Sequence, residues 1–320
     1  MRLKILILAF LLVFLLTACY DYNELNMQEL VSGVGVDAEG DLIRVTVQCA
    51  ETSEDGGSIY NASGESFFDA IRNISLKNPK KLWWGHTEAL IIGKDAFEIT
   101  DSVFDAILRA HDIHLDIIPV FAKGATAKEL TEAKSANGDN APDAIFSAFA
   151  NERNSRRFFS LRLWELLREK SGHGLLLLPA VELQEGQPAF AGGAVLRGRD
   201  APIFLTTEQM LLLSLLTDEG GGGYLPPIAT SDNGRVSFEI LARSLKQNNK
   251  KTTLELVLSP AEAEGKFNSE NAKAAAERWL DEHFEAFNKF LSENGLTALT
   301  NGVSNVRSEV TISNILGGRQ

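Results

Sequence analysis

Cysteine is nearly absent. The 320 residues hold two, Cys19 and Cys49, too few for the disulfide frameworks that staple small secreted domains. No apolar run reaches the roughly 20 residues that a membrane-spanning helix needs. The run Ile5 to Leu16 stops short of that length, and Met210 to Leu216 fits a core helix. Positive charge is in deficit, with 31 Lys and Arg against 43 Asp and Glu and a net charge of -12. Such a chain is repelled by nucleic acid and by anionic lipid headgroups, and no nucleic-acid partner is expected. Catalytic signatures are missing too: there is no nucleophile elbow, zinc-binding helix or phosphate loop. The sequence therefore assigns no catalytic residue and no metal ligand, and calls for no cofactor.

What is present begins at the first residue. Arg2 and Lys4 precede the apolar run Ile5–Leu16, which has the length of a secretory signal core. Leu16-Thr17-Ala18-Cys19 follows at once and resembles the lipobox of bacterial lipoproteins. Small residues there suit a signal peptidase, and the Cys19 thiol is the nucleophile that accepts a diacylglyceryl group. Each buried methylene contributes about 0.8 kcal/mol, so two acyl chains hold firmly where one binds marginally. The expectation is a chain anchored by Cys19 on the outer face of a bacterial membrane without spanning it. Loss of Arg2 and Lys4 with the leader takes the net charge from -12 to -14. Only Cys49 then remains as a free thiol. It closes the alternating stretch Ile43, Val45, Val47 and is expected on the buried face of a strand, followed by Glu51 and Glu54 with no basic neighbour to activate it.

With 44% hydrophobic residues the chain can bury substantial cores. Residues 1–18 read as signal peptide and 19–29 as a lipidated tether. An N-terminal α+β domain over 30–187 and a C-terminal α+β region over 188–320, divisible into two subdomains, complete the division. Alternation predicts strands at Leu30–Val36, Asp41–Cys49, Leu82–Ile92, Leu115–Ala122, Leu175–Leu183, Gly193–Arg197, Val236–Ser244, Thr252–Leu258 and Val303–Ile312. Helical spacing predicts helices from Phe67 to Ile74, Phe97 to Ala110, Thr126 to Lys134, Leu161 to Lys170, Glu208 to Leu216 and Asn268 to Asn294. Thr126 with Glu129 has the spacing of a capping box. Thr52–Gly64 reads as a mobile loop, Ser135–Pro142 as a surface loop, and Gly220–Gly223 with Pro226 and Pro227 as a loop or hinge. Strands and helices mix without a βαβ period, so the fold class is α+β, with mixed sheets and packed helices behind the leader.

The order of several segments then carries a family likeness. Cys19 is followed by Tyr20-Asp21-Tyr22-Asn23-Glu24-Leu25 and by Gly33-Val34-Gly35-Val36-Asp37. Next come Ala70-Ile71-Arg72-Asn73-Ile74-Ser75, Pro79-Lys80-Lys81-Leu82 and Gly85-His86-Thr87-Glu88-Ala89-Leu90-Ile91-Ile92-Gly93. Val120-Phe121-Ala122-Lys123-Gly124 and, further on, Gly192-Gly193-Ala194-Val195-Leu196 and Val236-Ser237-Phe238-Glu239-Ile240-Leu241 complete the pattern. In this order the segments resemble the Ger(x)C family, the lipoprotein C subunits of spore germinant receptors. That resemblance implies a non-catalytic subunit on the outer face of the spore inner membrane. Its partners would be integral-membrane A and B type receptor subunits, and its role would lie in nutrient-triggered germination. The rival functions are a stand-alone solute-binding lipoprotein, which calls for two like lobes around a cleft, and a membrane-tethered hydrolase.

Three local features invite chemistry and each has a plainer explanation. Gly33-Val34-Gly35 has the look of a phosphate loop but lies inside a strand, with no helix N-terminus behind it. His111-Asp112-Ile113-His114-Leu115-Asp116 offers metal-binding side chains, yet it straddles a helix end and a strand, so they diverge. His86 falls in the predicted strand, as a packed or hydrogen-bonded residue. Trp83 and Trp84 are adjacent on the same strand, so one faces in and the other out. The outward ring is the candidate partner contact.

Overall fold

The computed structural model describes residues 27–50, 57–152, 161–217, 223–231, 233–248, 251–265, 268–301 and 303–313. The signal peptide, Cys19 and the segment Tyr20–Asn26 lie outside the described residues. So do 51–56 and Gly220–Gly222, parts of the loops read at Thr52–Gly64 and Gly220–Gly223.

Nine strands make the larger sheet. In chain order they are β1 (Gln28–Glu39), β2 (Leu42–Cys49), β3 (Ile59–Gly64), β4 (Lys81–Trp83), β5 (Ala89–Ile92), β6 (Ile118–Ala122), β7 (Leu176–Gln184), β8 (Gln187–Leu196) and β9 (Ile203–Leu205). Their spatial order is β3-β2-β1-β5-β6-β7-β8-β9, with β4 beside the start of β1. β1, β4, β5, β6 and β7 run parallel, and the outer strands are antiparallel. The central strands are buried on both faces: Val31 to Asp37 of β1, all of β5 and all of β6. Helices cover both sides, as a parallel sheet requires. These are α1 (Phe67–Ser75), α2 (Thr100–Arg109), α3 (Ala127–Glu132), α4 (Ala141–Glu152) and α5 (Leu163–His173).

α6 (Thr207–Leu216) then leads away from β9. Every side chain from Met210 to Leu216 is buried, as befits a helix that is apolar all round. It packs on β8 and β9 from one side and on the long helix α7 (Ser269–Glu293) from the other. The second sheet runs β10-β11-β12-β13, from β10 (Tyr224–Ala229), β11 (Arg235–Asn248), β12 (Lys251–Glu264) and β13 (Val306–Ile312). α7 covers it with Ala272, Ala276, Leu280, Phe284, Phe287 and Leu291 buried. Its start is capped by Asn268, whose Oδ1 accepts from the N–H groups of Glu270 and Asn271 at 2.9 and 3.1 Å. Edge strand β13 has its Ser308 and Val310 N–H groups bound by Asp281 and Glu277, one turn apart on α7. That occupies donors which would otherwise recruit another strand.

The architecture is α+β, as the sequence predicts, and several local expectations differ from it. Residues 59–64 form β3 instead of loop, because its small inward residues Ala62 and Gly64 let α1 lie directly on it: a Cβ at Gly64 would meet Asp69 and the Ala70 backbone. The strand expected over Leu82–Ile92 is two, β4 and β5. A turn separates them, in which the Thr87 N–H and hydroxyl both donate to the Trp84 carbonyl, at 3.1 and 2.8 Å. The Ser135–Pro142 loop ends early, since Ala141 and Pro142 open α4, where a first-turn proline costs no hydrogen bond. Pro226 and Pro227 lie within β10 at the sheet edge, the place where strands tolerate proline. Gln187 begins β8, which pairs with β7 as a hairpin, and the change of sheet comes later, between β9 and β10.

Candidate functional site

The Gly33-Val34-Gly35-Val36-Asp37 segment lies in the middle of β1. A Cβ at Gly33 would collide with the Pro142 ring of α4, and one at Gly35 would sit 2.5 Å from Thr131 Oγ1 and 3.0 Å from the Ala127 carbonyl of α3. The glycines are therefore places where two helices press on the strand. Asp37 continues this face. Its carboxylate accepts from the N–H groups of Ala127 and Lys128 at 2.6 and 2.9 Å, capping the start of α3 from across the sheet. Thr126 and Glu129 complete that start as a reciprocal capping box, as their spacing predicts. Burial pushes the Asp37 carboxyl above its usual value, and the two N–H bonds offset only part of this. Asp37 is thus a structural anion whose role lies 90 residues away, although its place before Ala38-Glu39-Gly40 gives it the look of a turn residue. The turn itself falls at Gly40, which has φ 61°.

A second polar cluster gathers where β1 begins. Glu29 accepts from Asn78 Nδ2 at 3.1 Å and Ser58 Oγ at 3.3 Å, and Lys80 Nζ lies 3.6 Å away. Burial opposes its charge, but the bonds from Tyr60, Asn78 and Ser58 together with the Lys80 charge outweigh it and lower its pKa. The Cys49 thiol points at the same carboxylate, 3.8 Å away. Cys49 is free and buried. Burial first, and then the Glu29 charge, push this thiol up to about 12. It stays protonated at any physiological pH and lacks the electropositive setting that makes a cysteine nucleophilic. No local pattern marks Glu29 in the sequence, because its partners come from three separate segments.

The tryptophan pair divides as the strand geometry predicts. Trp84 is buried and Trp83 is 43% exposed. Of the two, only Trp83 has surface to offer a partner. His86 lies in the turn between β4 and β5 instead of inside a strand, exposed, with Nε2 3.5 Å from Glu88 Oε1. His111 and His114 project from the connection between α2 and β6 and are exposed, with Ile113 buried between them. Among the described residues no three His, Cys, Asp or Glu side chains converge on a metal-sized site. The described surface carries a shallow pocket of about 720 Å³ at the start of α1, lined by Glu65, Ser66, Phe68, Asp69 and Arg72. The Asp69–Arg72 ion pair occupies its polar side.

Asp37 thus holds a helix to the sheet, and Glu29 gathers three chain segments around the start of β1. A family model described as the spore germination protein N-terminal domain matches residues 21–183, half of the chain and most of the larger sheet. The chain belongs to the Ger(x)C family of spore germination proteins. Among solved structures, one titled the crystal structure of the GerBC protein is similar to it, with 15% identity and a TM-score of 0.49, covering 92% of this chain and 99% of that one. No curated protein matches it in sequence.

Proposed function

We propose that this protein is the C subunit of a spore germinant receptor, held to the outer face of the spore inner membrane by a diacylglyceryl group on Cys19 and working through its partners without catalysis. The family match over residues 21–183 carries this reading. Three further observations support it. No helix among the described residues is long and apolar enough to cross a membrane, and the lipobox-like Leu16-Thr17-Ala18-Cys19 offers a lipid as the attachment. The free thiol is held protonated beside a carboxylate, a poor setting for a nucleophile. The two sheets differ in strand number and order, which argues against the paired lobes of a solute-binding lipoprotein. The lipid holds the subunit in two dimensions beside the integral-membrane A and B type subunits. The resulting rise in effective concentration lets modest contacts suffice.

The test joins genetics to biochemistry. Deleting the gene slows nutrient-triggered germination and leaves spore formation intact, and the protein co-purifies with the two membrane subunits from spores. Cys19→Ser abolishes fatty-acid labelling. Calorimetric titration of the purified protein with amino acids and sugars gives no saturable heat; tight nutrient binding would instead establish the solute-binding function.

A further inference from the structure

We propose that the end of the larger sheet at which β1 begins is the face laid against the lipid bilayer, with Trp83 and Trp164 seated in its interfacial layer. β1, β4, β5 and β6 run parallel, so their N-terminal ends all point toward this end, β4 beside Gln28–Leu30 and β5 and β6 starting at the level of Gly33. α5 starts there too: the Leu163 N–H donates to the Ile117 carbonyl at 2.9 Å, and the Trp164 N–H to that of Leu115 at 3.3 Å, both just before β6. Both tryptophans with widely exposed rings are therefore gathered at the same end, Trp83 at 43% and Trp164 at 42%. Trp84 is buried, and Trp279 is stacked on His283 in α7 at a centroid distance of 4.1 Å.

Two more apolar side chains share this end. Met27 directly precedes β1, and Leu76, 80% exposed, lies two residues before Asn78, which bonds Glu29 of β1. Lys77, Lys80 and Lys81 stand among them, Lys81 in register with Gln28. Exposed tryptophan and aliphatic side chains at one end of the sheet, with lysines near Trp83 and the Arg168 guanidinium 5.4 Å over the Trp164 ring, match the layered chemistry of a bilayer surface. Indole rings favour the headgroup level, and lysine stems extend along apolar material while the ammonium groups reach phosphate.

The occupant follows from where the chain enters the fold. Seven residues, 20–26, separate Cys19 from Met27, a reach of roughly 28 Å at full extension. With the lipid on Cys19 in the membrane, this end of the sheet stays within that distance of the headgroups. A protein partner could reach many other surfaces, whereas the bilayer can reach this one first. The inference rests on the lipid anchor proposed above.

The experiment uses the full lipidated chain in vesicles of phosphatidylcholine and phosphatidylglycerol, with and without brominated phosphatidylcholine. Brominated lipid quenches the tryptophan emission of the wild type. Trp83→Phe and Trp164→Phe each remove part of that quenching, and the double variant removes most of it, while emission from Trp84 and Trp279 persists. A chain that is labelled by fatty acid and floats with vesicles, yet whose emission bromine leaves untouched, would overturn this orientation alone and leave the anchor standing. That result would free the patch for a protein partner. A chain that takes up no fatty acid would overturn both.

Discussion

Glu29 and Asp37 are carboxylates on the same strand whose pKa values move in opposite directions, and the difference lies in their donors. Glu29 receives side-chain bonds from Tyr60, Asn78 and Ser58 and a lysine charge that together outweigh its burial. Asp37 is more deeply placed and has two backbone N–H groups, which do not fully compensate. Linkage converts this into opposite pH dependences. Glu29 has a folded pKa below its ordinary 4.5, so its stabilisation is complete above 4.5 and is lost as pH falls toward the folded value. Asp37 has a folded pKa above its ordinary 3.8, so its contribution is fullest below 3.8 and declines as pH rises through the folded value. Glu29→Gln should therefore flatten the acid limb of a stability profile measured by urea unfolding between roughly pH 3 and 6, the range around the ordinary carboxylate values. Asp37→Asn should remove a decline on the other side. Equal loss of stability at every pH from Glu29→Gln would show that the carboxylate charge contributes nothing there. At this scale the sequence was legible where the signal was local. Cys49 is buried on the face its alternation predicts, and one of Trp83 and Trp84 faces out. The roles of Asp37 and Glu29 were not legible, because each depends on donors brought from elsewhere by the fold.

Elements are where the family pattern acquires a physical meaning. Gly33 and Gly35 are spaced by two, so both project from one face of β1, and that face is where α3 and α4 descend. Alternation predicts the strand and the missing phosphate-binding helix, but it does not reveal that a helix fills the space over each glycine. Gly35→Val should force Ala127 and Thr131 away from β1 and loosen the Asp37 cap with them. Overpacking of this kind costs roughly 1–3 kcal/mol, read as a lower midpoint in urea and faster amide exchange in residues 127–132. Gly40→Ala is the contrasting case, since its φ of 61° disfavours a side chain while nothing stands within 4 Å of a Cβ there. Its smaller loss would arise from the backbone alone. Helices with strong periodicity, such as α1 and α7, were placed within a residue or two. Among the misplacements, β3 and α4 are elements whose small residues give little hydrophobic contrast, so that packing against a neighbour decides their structure.

Between the two sheets, α6 has no solvent face beyond its first turn. Its residues Met210 to Leu216 are buried between β8, β9 and α7, and the Arg243 guanidinium of β11 donates to the Leu215 carbonyl at 2.8 Å near its end. A positive side chain at that position also suits the negative end of the helix. An apolar joint of this kind, with the Glu208–His283 pair at its exposed edge, behaves as core, unlike the polar and mobile interfaces that usually join domains. For the partner-dependent subunit proposed above, the consequence would be mechanical: a contact made on one sheet would be passed to the other through packed side chains instead of being absorbed at a hinge. The sequence pointed to a core helix at Met210–Leu216 but could not say what lay on its two sides. Trp84 reports on the larger sheet and Trp279 on α7, so two variants retaining only one of these tryptophans can be unfolded in parallel. If α6 makes the two sheets one cooperative unit, their fluorescence transitions in urea share a midpoint. Leu212→Ala, which empties buried volume in the joint at a cost of roughly 2–5 kcal/mol, should then shift both midpoints together. Separate midpoints for the unmutated joint, or a shift confined to one reporter, would mean that the sheets unfold independently and that α6 belongs to only one of them.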